Sequence, residues 1–254
     1  MKNESEMKLD PQKTNNMENK LKVEIWSDVM CPFCYIGKRK FEIALNQFEQ
    51  RDEIEIVWKS FQLSPNMVTQ PDKNIHQFLA EHKGISVAEA KNMNNYVTDM
   101  AKKVGLTYNF DTAIVANSRK AHQFSHFALQ HGKQNEAEEL LFKSYFTDGK
   151  NTDDLAVLLE LGRELGFNTE ELQENLASSK YDGAVSVDIN EARQIGVSGV
   201  PFFVFDRKYA ISGAQEVSVF LETIEKSFEE WNKNNPAKLK IQKGTSCDVD
   251  GKCE

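Results

Sequence analysis

Two cysteines stand three residues apart in Cys31-Pro32-Phe33-Cys34. The stretch follows a short apolar run with Val23, Ile25 and Trp26 and opens a helical pattern. A sulfur at a helix start meets unpaired backbone N–H groups and the positive end of the helix dipole. That setting favours the thiolate, which is the nucleophilic form. A second thiol one turn further on can attack the mixed disulfide formed by the first. The chemistry this spacing offers is dithiol–disulfide exchange. Pro32 suits the first turn, where its missing N–H had no partner in any case.

Other residues offer other chemistries. Cys247 and Cys253 flank Asp250-Gly251, a turn-forming pair, near the end of the chain. They read either as a second redox pair or as two passive thiols. Four cysteines arranged as two pairs could also hold zinc, but Pro-Phe between cysteines is a redox-type dipeptide, and we assign no metal. His122 and His126 share a helix face at a spacing that suits a metal, yet no third ligand is evident, and a packed helix face is the expectation. Lys38, Arg39 and Lys40 are expected to form a solvated face. The glycines of Gly196–Gly199 precede a strand rather than a helix, which argues against a phosphate-cradling loop. Met30, Phe33 and Tyr35 flank the thiols and could form an apolar rim for a peptide, with packing an equal reading for Tyr35.

The elements that must position these groups can be read in order. Lys22–Asp28 is a strand, a helix follows from Pro32, and Glu53–Phe61 is a second strand. Strand, helix and strand within about forty residues make a βαβ unit with parallel strands. Ser64-Pro65 and Gln70-Pro71 then interrupt regular structure. From about Asp72 to Ser179 only helical patterns are evident. Ser86, three residues before Glu89, is a capping-box signal for a helix to about Lys103. Further helices are expected over Ser118–Gln130 and Asn135–Phe146, from Thr152 to Gly166, and from Thr169. Tyr181–Gln194 reads as a helix, Phe202–Phe205 as a strand apolar on both faces, and Tyr209–Ile211 as its hairpin partner. A last amphipathic helix carries Val217, Phe220, Leu221, Ile224, Phe228 and Trp231 on one side.

Composition bounds the function. The 254 residues carry a net charge of −8 and are 40% hydrophobic. An acidic chain lacks the basic face that nucleic acid or an anionic membrane requires. No window approaches the length of a membrane span, and Met1–Lys20 lacks the apolar core of a signal peptide. The expectation is a cytoplasmic protein with a disordered leader over 1–20. In a reducing compartment four cysteines point to catalysis, redox sensing or metal rather than stapling.

The order β-α-β, helical insert, α-β-β-α, with a C-x-x-C at the first helix and Val200-Pro201 before the third strand, resembles the thioredoxin fold in its DsbA-like form. The stretch Ser27–Arg39, together with Gly196–Phe205, is similar to the FrnE-like subgroup of that family. The resemblance implies an α/β thioredoxin-fold domain over 21–66 and 181–232, an all-helical insertion over 67–180, and a tail over 233–254 that carries the Cys247/Cys253 pair. It implies that Cys31 attacks, that Cys34 resolves, and that a cis Val200–Pro201 bond faces them, with the Val200 backbone free to pair with substrate. It further implies a thiol–disulfide oxidoreductase or isomerase that acts on protein or small-molecule thiols and disulfides. No cofactor is needed beyond the redox-active disulfide itself, with glutathione as a conceivable co-substrate. Two departures matter. Phe33 stands where DsbA-type proteins often carry histidine, so a less oxidising disulfide is expected. The buried acid that relays protons in many relatives has two candidates, Glu24 and Asp28. Kappa-type glutathione transferases and chromene-carboxylate isomerases share the scaffold and generally carry serine at the position of Cys31. A glutathione-dependent transferase or isomerase is therefore the alternative reading.

Overall fold

The computed structural model describes residues 20–236. The leader and the Cys247/Cys253 pair lie outside the described residues. The central strand is β1 (Leu21–Ser27), with β2 (Ile54–Ser60) parallel on one side and β5 (Phe202–Phe205) antiparallel on the other. β6 (Tyr209–Ser212) pairs antiparallel with β5, which gives the order β2-β1-β5-β6. Every residue of β1 except Lys22 is buried, as expected of a strand covered on both faces.

One face of the sheet packs on α1 (Pro32–Gln47), and α9 (Val217–Asn234) lies alongside α1. Leu21, Val23 and Ile25 point into this core. Phe41 of α1 sits there among Phe203, Phe205 and Phe220, with ring centroids 5.6, 6.2 and 5.9 Å away. On the opposite face Trp26 joins Ala192, Val197 and Val204. Ala192 belongs to α8 (Asp182–Gln194).

Between β2 and α8 the chain forms the insert: β3 (Gln70–Asn74), α2 (Ile75–Lys83), α3 (Val87–Lys102), β4 (Ile114–Val115), α4 (Arg119–Gln130), α5 (Gln134–Phe146), α6 (Leu155–Glu164) and α7 (Thr169–Ala177). The expectation of an all-helical insert needs correction at one place. β3 and β4 form a small antiparallel ladder. Gln70–Asn74 has no apolar residue and includes a proline, so no alternating pattern announces it. α2 is an addition to the expected helices: Asn74 caps its start, accepting from the His76 N–H at 2.8 Å, and Gly84 ends it at φ +66°. The capping box forms as expected: Ser86 accepts from the Glu89 N–H and Glu89 from the Ser86 N–H. The helix expected from Thr152 starts later. Asp154 is its cap, accepting from the Ala156 N–H, while Thr152 is buried.

The insert is bonded tightly to the sheet. The Gln134 side chain accepts from the Trp58 N–H at 2.9 Å and donates to the Trp58 carbonyl at 3.0 Å, on the outer edge of β2. Asp188 of α8 takes the Ser60 N–H at 2.9 Å and pairs with Lys59 at 2.6 Å and His126 at 3.0 Å.

Candidate active site

Cys31 is the N-cap of α1 and Cys34 lies one turn in; both are free thiols. The turn before the helix is held by the Cys31 N–H donating to the Asp28 carbonyl at 2.9 Å. The Cys31 side chain makes no capping bond. Its Sγ lies 3.5 Å from the Val200 carbonyl oxygen. The Val200–Pro201 peptide is cis. Some 170 residues of chain separation are thus closed at one spot.

Gly37 is what allows this approach. A Cβ there would lie 2.9 Å from Pro201 Cγ and 3.4 Å from the Phe203 ring. The proline loop can rest on α1 only because the helix presents no side chain at that point.

The surroundings of the two thiols differ. Phe33 is 38% exposed and Met30 is partly buried, so an apolar rim borders the site. Tyr35 is buried instead, stacked on Phe142 at 5.0 Å, and its hydroxyl donates to Glu139 at 2.6 Å. Packing is the observed role for Tyr35. Cys31 is 3% exposed and Cys34 1%. Burial pushes the Cys34 thiol well above the ordinary range, and Cys31 beside it pushes further. The Ser27 hydroxyl and the Asp28 backbone N–H pull the other way. From the insert, the Tyr108 hydroxyl donates to the Pro32 carbonyl at 2.7 Å, within the motif itself. Burial and the two neighbouring thiols push Tyr108 far above its usual value, so it stays a neutral donor.

The two candidate acids separate in space. Glu24 is ion-paired with Arg207, which also binds Glu191 at 2.7 Å. Asp28 is fully buried beside the motif. It accepts from the Leu63 N–H at 2.8 Å and lies 3.7 Å from His122 Nε2. His122 Nε2 donates to the Phe61 carbonyl at 2.8 Å. Burial opposes a charged His122, but the Asp28 carboxylate and the nearby Glu138 outweigh it and raise the imidazole above its ordinary value. Glu138 is raised by burial despite a 2.6 Å bond from the Ser125 hydroxyl. The packed-face expectation for His122 and His126 describes both residues: each is buried and bonded to the protein. Among the described residues no group of three or more His, Cys, Asp or Glu is placed to hold a metal ion.

The solvated face expected at Lys38, Arg39 and Lys40 is not found. Lys38 is 2% exposed and bonded to Glu42 and Glu139, and Lys40 is buried and bonded to Glu216 at 2.7 Å. Arg39 is paired with Glu42 and Glu139 as well. Glu42 lies on α1 itself, but Glu139 and Glu216 come from distant parts of the chain, so the pattern of α1 alone could not reveal them.

These features agree with comparisons to known proteins. The model of the DSBA-like thioredoxin domain matches residues 22–225. The uncharacterized protein YwbO of Bacillus subtilis (strain 168) is 25% identical over 205 residues, which are 80% of this chain and 94% of that one. A crystal structure of a probable DsbA oxidoreductase from Streptomyces coelicolor is 32% identical, with a TM-score of 0.77 over 92% of this chain and 98% of that one. The cytosolic disulfide reductase DsbM from Pseudomonas aeruginosa, solved with GSH, shares the fold at 16% identity and a TM-score of 0.60, over 82% of this chain and all of that one. With a cysteine pair at the first helix, a cis-proline loop against it and a family match over most of its length, the chain belongs to the DSBA-like thioredoxin domain family.

Proposed function

We propose that the protein is a thiol–disulfide oxidoreductase or isomerase in which Cys31 attacks and Cys34 resolves. The observation that carries this reading is the contact of Cys31 Sγ with the Val200 carbonyl at the start of α1. Cys31 thus stands at the helix end, beside a backbone segment that an extended substrate can pair with. Cys34 stands one turn deeper; both sulfurs are buried, and Cys31 is the one at the helix end. The substrates are protein or small-molecule thiols and disulfides, with the apolar rim of Phe33 and Met30 meeting a peptide. Glutathione fits as a co-substrate, because it brings the same thiol and a short peptide backbone. A cytoplasmic location accords with the absence, among the described residues, of a helix long and apolar enough to cross a membrane.

The test is trapping in cells. Cys34→Ala is expected to accumulate mixed disulfides through Cys31, and Cys31→Ser to abolish them. Full disulfide-reductase activity in Cys31→Ser sinks the assignment. Glutathione conjugation or isomerisation that survives loss of both thiols would favour the transferase alternative. The Cys247/Cys253 pair is proposed to exchange with Cys31–Cys34. Cys247→Ser should then change the oxidation state of the active-site pair in thiol trapping, and unchanged oxidation and turnover would leave the tail without a catalytic part.

A further inference from the structure

Lys40 lies on α1 and is 8% exposed. A charged side chain withdrawn from water is costly unless it is paired and bonded. Its ammonium donates to the Glu216 carboxylate at 2.7 Å and to the Ala214 carbonyl at 3.4 Å. Both acceptors sit in the segment between β6 and α9. Glu216 is the N-cap of α9, yet its side chain makes no capping bond. Its carboxylate is given to Lys40 instead. The same segment holds the proline loop, because the Gly213 N–H donates to the Pro201 carbonyl at 2.8 Å. Ala214 and Pro201 lie together over Gly37. A Cβ on that glycine would be 3.5 Å from Ala214 Cβ and 2.9 Å from Pro201 Cγ.

We propose that Lys40 is a positioning residue for substrate: it fixes the 213–216 segment to α1 and so holds the Val200 backbone in register with Cys31 for pairing with a substrate main chain. This rests on the reading of Cys31 as the attacking thiol. Cys31 and Lys40 belong to one helix, nine residues and about 13 Å apart. The contacts run from Lys40 to Ala214, through Gly213 to Pro201, and back to Cys31 Sγ, 3.5 Å from the Val200 oxygen. The helix that carries the nucleophile therefore also carries the loop beside it. A main-chain segment offered to substrate serves attack only at a fixed offset from the sulfur. In that attack the Cys31 thiolate forms a bond to one sulfur of the substrate disulfide. The disulfide bond breaks, and the other half leaves as a thiolate with the electron pair and takes up a proton. Lys40 takes no part in these bonds, so its effect is confined to substrates that use the Val200 backbone.

The neighbouring cations of α1 serve other partners. Lys38 and Arg39 are bonded to Glu42 and Glu139, which join α1 to α5 of the insert. Of the three, Lys40 is the one that reaches the segment behind Pro201. Gln215 is tied within its own turn, its side-chain amide donating to the Ser212 carbonyl at 3.0 Å.

The experiment follows adduct formation on Cys31 in a Cys34→Ala background, by acid-quenched mass spectrometry, with two disulfides. Oxidised glutathione brings a peptide backbone; bis(2-hydroxyethyl) disulfide brings none. Lys40→Met keeps the apolar stem and removes the charge. It should slow attack on oxidised glutathione by about threefold to tenfold, the worth of one hydrogen bond. Attack on the hydroxyethyl disulfide should keep its rate, which also reports an intact Cys31. Glu216→Gln, a change at an exposed side chain that leaves the ammonium in place, should move the ratio of the two rates in the same direction. Should Lys40→Met not fold, the ratio in Glu216→Gln decides alone. Equal slowing with both disulfides overturns the proposal, since it would mark Lys40 as a charge acting on Cys31 or as general support. Unchanged rates with both overturn it too, as does a ratio that moves in Lys40→Met but not in Glu216→Gln. If the Cys34→Ala protein forms no adduct through Cys31 with either disulfide, the attacking role of Cys31 itself fails, a result visible before Lys40 is touched.

Discussion

At the scale of single residues, the site differs from its family pattern chiefly at Phe33. A histidine between the cysteines could donate to a thiolate; a phenyl ring, 38% exposed, cannot. The reduced form therefore lacks one stabilising contact, and the disulfide should be a weaker oxidant. We expect a reduction potential between that of thioredoxin, about −270 mV, and that of DsbA, about −120 mV. Equilibration with glutathione buffers measures it, and a value at the DsbA end would refute the expectation. Phe33→His should move the potential upward.

At the scale of elements, the site is joined to the insert by side chains that cross between them. Tyr108 reaches the first turn of α1, Glu139 gathers Tyr35, Lys38 and Arg39, and His122 on α4 faces Asp28 after β1. The His122 contact has a pH signature. Its imidazole is raised in the folded protein, from an unfolded value near 6.5. The stabilisation is complete below that unfolded value and is lost as pH rises through the folded one. His122→Gln should therefore cost most below about pH 6.5 and progressively less above it. Thermal melts of both proteins across that range would show a constant gap if the Asp28–His122 contact does not titrate.

At the scale of the whole molecule, much of the plan was legible because it rests on local chemistry. C-x-x-C at a helix start, Val200-Pro201 before an apolar strand and the capping box at Ser86 each carry their own physical cause. What stayed hidden depends on tertiary partners. The burial of Lys38 and Lys40 needs Glu139 and Glu216, about a hundred or more residues away. The choice of Asp28 over Glu24 as the acid beside the motif needs Arg207 to be seen holding Glu24. The β3–β4 ladder needs a partner strand, since Gln70–Asn74 has no pattern of its own.

One of these tertiary contacts reaches beyond catalysis. Gln134 satisfies both main-chain groups of Trp58 as a neighbouring strand would, and Asp188 covers the next free N–H at Ser60. An uncovered sheet edge is a template on which foreign chains can assemble. From Trp58 to Ser60 the outer edge of β2 is thus closed to an added strand. Gln134→Ala would reopen the margin. It should cost about 1–3 kcal/mol in urea denaturation and raise light scattering when unfolded protein is present. A variant as stable and as free of aggregation as the wild type would show that the seal is dispensable.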